Sequence, residues 1–215
     1  MAFDLPTSPS NGQIYTYNGR SWTYDSTQTA WIQSAYASTQ GLVFLETGTM
    51  NTTSSNKDID ISSYTSDYDV LEFVLSAVAV DTDGADLRIQ FSDDGGSTFE
   101  ADAGDYNYCS AFYHDNSNTV SGSVRSGSAT IIQLDDNLGS GANEHDSGFV
   151  RVLNAGATEP TGVQSSLLRV KDSVVLNWQA AGYMEAAVAV TDVRFSMSAG
   201  DIDGGNYRLY GYRKS

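Results

Sequence analysis

The chain contains one cysteine, three prolines and two histidines in 215 residues, and 11 basic residues against 27 acidic ones. A lone Cys109 forms no intrachain disulfide, so no disulfide framework holds the fold. Cysteine's tendency to be buried makes the core the expected place for its thiol. No apolar run approaches the ~18–20 residues that a membrane-spanning helix needs. The opening MAFDLPTSPSNG lacks the basic and apolar regions of a secretion signal. A net charge of −16 repels a nucleic-acid backbone unless the basic residues cluster, and along the sequence they do not. The expectation is a chain made in a cytoplasm, with no nucleic-acid partner and no membrane insertion.

Catalytic patterns are missing as well. No G-x-S-x-G elbow occurs, and His114 and His145 sit in polar stretches. The acidic pairs Asp93/Asp94, Asp135/Asp136 and Asp201/Asp203 fall in turn-rich stretches, where an aspartate caps the local backbone. The chain therefore reads as a non-enzyme with no cofactor. The one candidate for calcium is Asp81-x-Asp83-Gly84-x-Asp86, three carboxylates around a glycine without the rest of an EF-hand. A plain hairpin turn accounts for the same residues.

What is present is alternation. Phe149–Leu153 (FVRVL) and Leu87–Ile89–Phe91 place successive side chains on opposite faces of a sheet. DVLEFVLSAVAV, from Asp69 to Val80, is the most apolar strand and is expected to be central. No segment keeps a 3.6-residue apolar period. About ten to twelve strands are expected, with long polar loops at 115–128, 135–147 and 156–166. The C-terminal run reads as a hairpin: Val188 to Met197, a SAGDIDGGN turn, then Tyr207, Leu209 and Tyr212. The fold class is all-β: an antiparallel β-sandwich over 42–215, jelly-roll-like, after a small hairpin unit at 1–35 and a polar linker at 36–41.

In that first unit IYTYNGRSWTYD brackets Asn18-Gly19, a strong hairpin signal. Tyr15, Tyr17, Trp22, Tyr24 and Trp31 are too many aromatics for three short strands to bury alone. They are the candidate docking residues of an anchoring module.

Four stretches carry a family resemblance. VRF followed by a Gly-Asp-Ile turn and YRLYGYR resembles the end of small β-sandwich domains in tailed-bacteriophage structural proteins. YDVLEFVLSAVAVDTDGADLRIQFSDDGGSTF is similar to another stretch of those domains, and Asn154 and Gly156 match a third element. Pro6, Pro9, Asn11, Gly12, Gln13, Tyr15, Trp22, Tyr24, Asp25 and Trp31 form a pattern that resembles a short module near the ends of phage fibre and other virion proteins.

The resemblance implies a virion structural protein: a tail-fibre or appendage subunit in host attachment, assembled as a homotrimer and docked to other virion proteins. The alternatives are a capsid decoration or head-fibre protein, and a carbohydrate-binding module. Host surface glycans are the expected small-scale ligand, because sugar sites combine aromatic faces with loop amides and carboxylates. Tyr113, Asp115, Asn116, Asp135, Asp136 and Asn143 are the candidate contacts. A subunit interface or the sandwich core competes for the aromatics.

Overall fold

The computed structural model describes residues 6–17, 20–33, 41–114 and 120–214. Two compact units divide the chain, Met1–Gln40 and Gly41–Ser215. The first is a three-stranded antiparallel meander of β1 (Ile14–Tyr17), β2 (Arg20–Asp25) and β3 (Ala30–Gln33). Asn18 and Gly19, the expected hairpin turn, lie outside the described residues. Upstream of β1, Gly12 donates its backbone N–H to Tyr24 at 2.8 Å and Tyr24 donates back to Gln13 at 2.9 Å. Asn11 accepts from the Ser26 amide at 3.0 Å, so the Asn11-Gly12-Gln13 segment extends the pairing along β2.

The second unit opens with β4 (Leu42–Thr49), β5 (Asn56–Asp60), β6 (Tyr68–Val80), β7 (Ala85–Ser92), β8 (Tyr106–His114) and β9 (Val120–Ala129). It continues with β10 (Ile132–Leu138), β11 (His145–Leu153), β12 (Gly162–Lys171), β13 (Val174–Met184), β14 (Asp192–Met197) and β15 (Ile202–Arg213). Among the described residues there is no helix. One sheet has eight strands in the order β4-β15-β6-β11-β12-β13-β8-β9, and the other has four, β10-β7-β14-β5.

This order is a jelly roll with two insertions. The strands β4-β15-β6-β11 form one layer and β5-β14-β7-β10 the other, and the connections β4–β5, β6–β7, β10–β11 and β14–β15 each cross between them. The inserted hairpins β8-β9 and β12-β13 both join the sheet beyond β11, so one layer grows to eight strands. The core lies between the layers, where Phe73 of β6 meets Phe195 of β14 edge to face at 5.3 Å. Leu71, Leu75, Leu209, Ile89 and Phe91 fill it alongside.

Four expectations are corrected here. The C-terminal run is not a hairpin: β14 pairs with β5 and β7, while β15 pairs with β4 and β6. The connection crosses the sandwich, held where Asp201 donates its N–H to the Asp81 carboxylate at 2.8 Å. The stretches 115–128, 135–147 and 156–166 are only partly loop: 120–128, 135–138, 145–147 and 162–166 belong to β9, β10, β11 and β12, while 139–144 and 156–161 stay outside strands and 115–119 lie outside the described residues. A ladder bonds backbone to backbone, so Ser- and Gly-rich residues join it wherever a neighbouring strand offers partners. Strands number fifteen among the described residues rather than ten to twelve for the same reason. Finally, Cys109 is exposed instead of buried: it stands on the side of β8 opposite to the buried Tyr106 and Ser110.

Candidate functional site

Strand alternation gives the eight-stranded sheet an inner face on the core and an outer face away from it. The outer face is unusually apolar. Among the described residues, every large hydrophobic side chain exposed in the second unit, namely Leu42, Phe44, Tyr113, Leu168, Val175 and Tyr183, is on it.

The register lays these side chains in rows. In one row Phe44 pairs with Tyr210, Tyr210 with Glu72, and Glu72 with Arg151. The row continues from Arg151 to Gln164, then Ala181, then Cys109. The next row runs Leu42, Tyr212, Val70, Leu153, Gly162, Tyr183 and Asn107.

Both rows are tall at the β4–β15 end, where Phe44 and Tyr210 pack edge to face at 5.7 Å. They are low towards β12-β13-β8, where glycine, alanine and cysteine form the floor. That low part holds a groove of about 380 Å³ bounded by Tyr183, Leu153 and Asn107 and floored by Gly162, Ala181 and Cys109. A second hollow of about 400 Å³ continues it between Gln164 and Gln179.

Charge is scarce on this face from β4 to β8. Glu72 accepts from Arg151 at 2.5 Å, and Arg151 also lies over the Phe149 ring at 4.6 Å. Arg208 adds a second cation, pairing across the strands with Val74 and Thr47. At the end of the groove Glu185 accepts from the Tyr183 hydroxyl at 3.1 Å. The acidity of the chain is carried elsewhere.

The glycan candidates do not converge. Tyr113 is exposed on the outer face, across from Asn177. Asn143 is exposed in the turn before β11. Asp115 and Asn116 lie outside the described residues. Asp135 is fully buried on the other side of the sheet, accepting from Arg169 at 2.9 Å, and Asp136 accepts from the same nitrogen at 3.1 Å.

Nor do the carboxylates of the calcium candidate meet. Asp81 accepts from the Asp201 amide, Asp83 pairs with Lys171 at 2.9 Å, and Asp86 with Arg88 at 3.0 Å. Among the described residues no group of three His, Cys, Asp or Glu side chains is placed to hold a metal ion.

The docking candidates do assemble. Tyr15 pairs with Trp22 and Tyr24 with Trp31 across the strands, so alternation puts all four on one face of the small sheet. Tyr24 and Trp31 approach to 5.5 Å and Tyr15 and Trp31 to 6.2 Å between ring centres, and each ring stays half-buried within its unit. Tyr17 belongs to the same strand, and its side chain lies outside the described part.

Sequence reasoning missed the buried cluster around Arg169. Asp135, Asp146 and Arg169 are all buried, and Arg169 lies 5.9 Å from the Trp178 ring centre. Burial pushes the Asp135 carboxyl up to about 6, against the pull of Arg169. Burial raises Asp146 well above the usual carboxylate range, and the neighbouring Asp135 charge raises it further. The raised Asp146 carboxyl favours its acid form beside Asp135, where its O–H can donate to the neighbouring carboxylate. Sealed from solvent, the pair has no route to a substrate.

The grooved outer face is thus the surface with the strongest functional character. Compared with known proteins, the chain matches no family model, no curated protein and no solved structure.

Proposed function

We propose that the protein is a non-enzymatic structural subunit of a tailed-bacteriophage particle, of the tail-fibre or appendage type, that takes part in attachment to the host as a homotrimer. The observation that carries this reading is the outer face of the eight-stranded sheet. In a chain of net charge −16, that face presents aromatic and aliphatic side chains and few charges. Contiguous exposed apolar surface of this kind marks contact with another macromolecule. The aromatic face of the N-terminal meander is a second contact surface, on a separate compact unit, and suits docking onto other virion proteins. The resemblance of YRLYGYR and its companion motifs to phage structural sandwiches supplies the setting.

Gold-labelled antibody against the purified protein, applied to phage particles that encode it, tests the reading by electron microscopy. Label on tail appendages is the expected result. Label on the head would move the protein to the capsid-decoration alternative, and particles without label would overturn the proposal.

A further inference from the structure

We infer that the ridge at the β4–β15 end of the outer face, Phe44 with Tyr210, docks into the groove at Cys109 and Ala181 on a second copy of this chain. The inference rests on the reading of that face as a contact surface and names its partner.

Three observations select a second copy. The first is electrostatic: two chains of net charge −16 repel each other over most of their surfaces. From β4 to β8 the described outer face offers two carboxylates: Glu72, neutralised by Arg151, and Glu185 at the end of the groove, which accepts from Tyr183 and Asn107. It is where two copies approach with the fewest acids facing each other.

The second is shape. One face holds both a protruding pair, with Phe44 exposed by 54%, and a groove of about 380 Å³ whose floor of Gly162, Ala181 and Cys109 lacks large side chains. A ridge and a groove on the same face make the surface complementary to itself. Such a contact closes as a two-fold dimer, or as a ring when the ridge of each copy meets the groove of the next.

The third is size. Seven strands at ~4.8 Å spacing span about 29 Å, and six or so residues along each add about 20 Å. With side-chain relief this approaches the ~800 Å² per partner that a stable interface buries. Cys109 is exposed on the groove floor and becomes covered when the ridge docks.

The native thiol also provides the test. Phe44→Cys in the full-length chain places a second thiol on the ridge. Within one chain β4 and β8 lie six strands apart, about 29 Å, so no intrachain bridge forms. Mild oxidation of this variant should give a reducible product of two or three times the 23.1 kDa chain mass on a non-reducing gel. Two copies indicate two-fold closure and three a ring; both support the docking.

A monomer only, or equal cross-linking when Cys109→Ser is combined with Phe44→Cys, would overturn it. Light scattering on the unmodified protein gives an independent readout, with a multiple of the chain mass expected and a monomer at micromolar concentration counting against the contact. Phe44→Asp should return the monomer while keeping a single cooperative unfolding transition, because the core of the sandwich does not include this side chain. These measurements use purified protein. Their failure therefore stands apart from a failure to find the protein on particles.

Discussion

Asp146 and Arg169 stand directly opposite each other across β11 and β12, yet the Arg169 guanidinium is given to Asp135 on the other sheet, at 2.9 Å. One buried cation thus serves a site with two buried carboxyls. An unpaired charge in the interior is costly, so one acid neutralises itself by holding its proton. Asp146, its carboxyl raised by burial and by the Asp135 charge, is the group that favours the acid form, and an O–H there would link β11 to β10 where the inserted strands begin. The arrangement pins the small sheet to the extended one through hydrogen bonds rather than packing alone.

That assignment fixes the sign of a pH dependence. Asp135 and Asp146 bind protons more tightly folded than unfolded, so their contribution is fully present below about pH 4 and declines as pH rises through about 6 and beyond. Asp94 acts in the opposite sense. Hydrogen bonds from Thr98 and Ser92 hold it down at about 2, so its contribution is present above about pH 4 and lost as pH falls towards 2. Thermal melts should therefore show greatest stability at about pH 4, falling towards about pH 2 and towards about pH 6 and above. Asp146→Asn keeps the donor without the titration, and should flatten the decline above pH 6 and raise the melting temperature at pH 8 by several degrees, about 1–2 kcal/mol. A loss of stability equal at pH 5 and pH 8 would refute the placement of the proton.

Tyr106 is buried, and its hydroxyl accepts from the Phe91 amide at 2.9 Å and donates to the Glu100 carbonyl at 3.1 Å. It fastens β8, the start of an inserted hairpin, to β7 of the opposite layer. Tyr106→Phe leaves both backbone groups without that partner and should cost about 1–3 kcal/mol in denaturant unfolding. Tyr113→Phe, on the exposed outer face of the same strand, is the control and should change stability by less than about 0.5 kcal/mol.

Much of the fold was legible because alternation is local. Leu71, Phe73 and Leu75, or Val193, Phe195 and Met197, announce a strand and its buried side within a few residues. The sheet to which each strand belongs was not legible. Asp81–Gly84 and Ser198–Asp201 look like hairpin turns in sequence, and become crossings only because β6 and β15 pair with each other. Cys109 was misplaced because residue type favours the core, whereas its parity with Tyr106 and Ser110 favours the surface. The acid cluster brings Asp135 together with a residue 34 positions away, with no local pattern to mark it. The outer face was hidden likewise, since its rows take single residues from seven strands.

Gly205 has a backbone angle of +102°, and a Cβ there would stand 2.7 Å from the Val78 Cα and 2.9 Å from the Ala77 carbonyl oxygen. Those neighbours are backbone and cannot swing aside. β15 is bulged on both sides of Gly204, so this glycine lets the strand follow β6 through the crossing. Gly205→Ala should destabilise by at least about 2 kcal/mol, from strain in the left-handed region added to the overlap. Gly95→Ala, also at positive φ but with open space around its Cβ, should cost only about 1 kcal/mol. Equal losses for the two variants would show that backbone conformation alone matters at Gly205.

The last prediction concerns the N-terminal unit. All the buried residues of the core cluster, from Met50 to Leu209, belong to the second compact unit, and the rings of Tyr15, Trp22, Tyr24 and Trp31 contact one another within the first. Three short strands are too few for much independent stability, so the first unit gains from a partner whereas the sandwich has its own core. A chain of residues 41–215 should therefore unfold in one cooperative transition, with a midpoint within about 3 °C of the full-length protein. The same truncation should lose incorporation into particles if the aromatic face is the anchor. In the full-length chain, Trp31→Ala removes the ring that both Tyr15 and Tyr24 pack against, and should reduce incorporation while leaving the sandwich transition in place. Normal incorporation of both variants would locate the anchor elsewhere; a sandwich that no longer melts cooperatively after truncation would mean that residues 1–40 stabilise it directly.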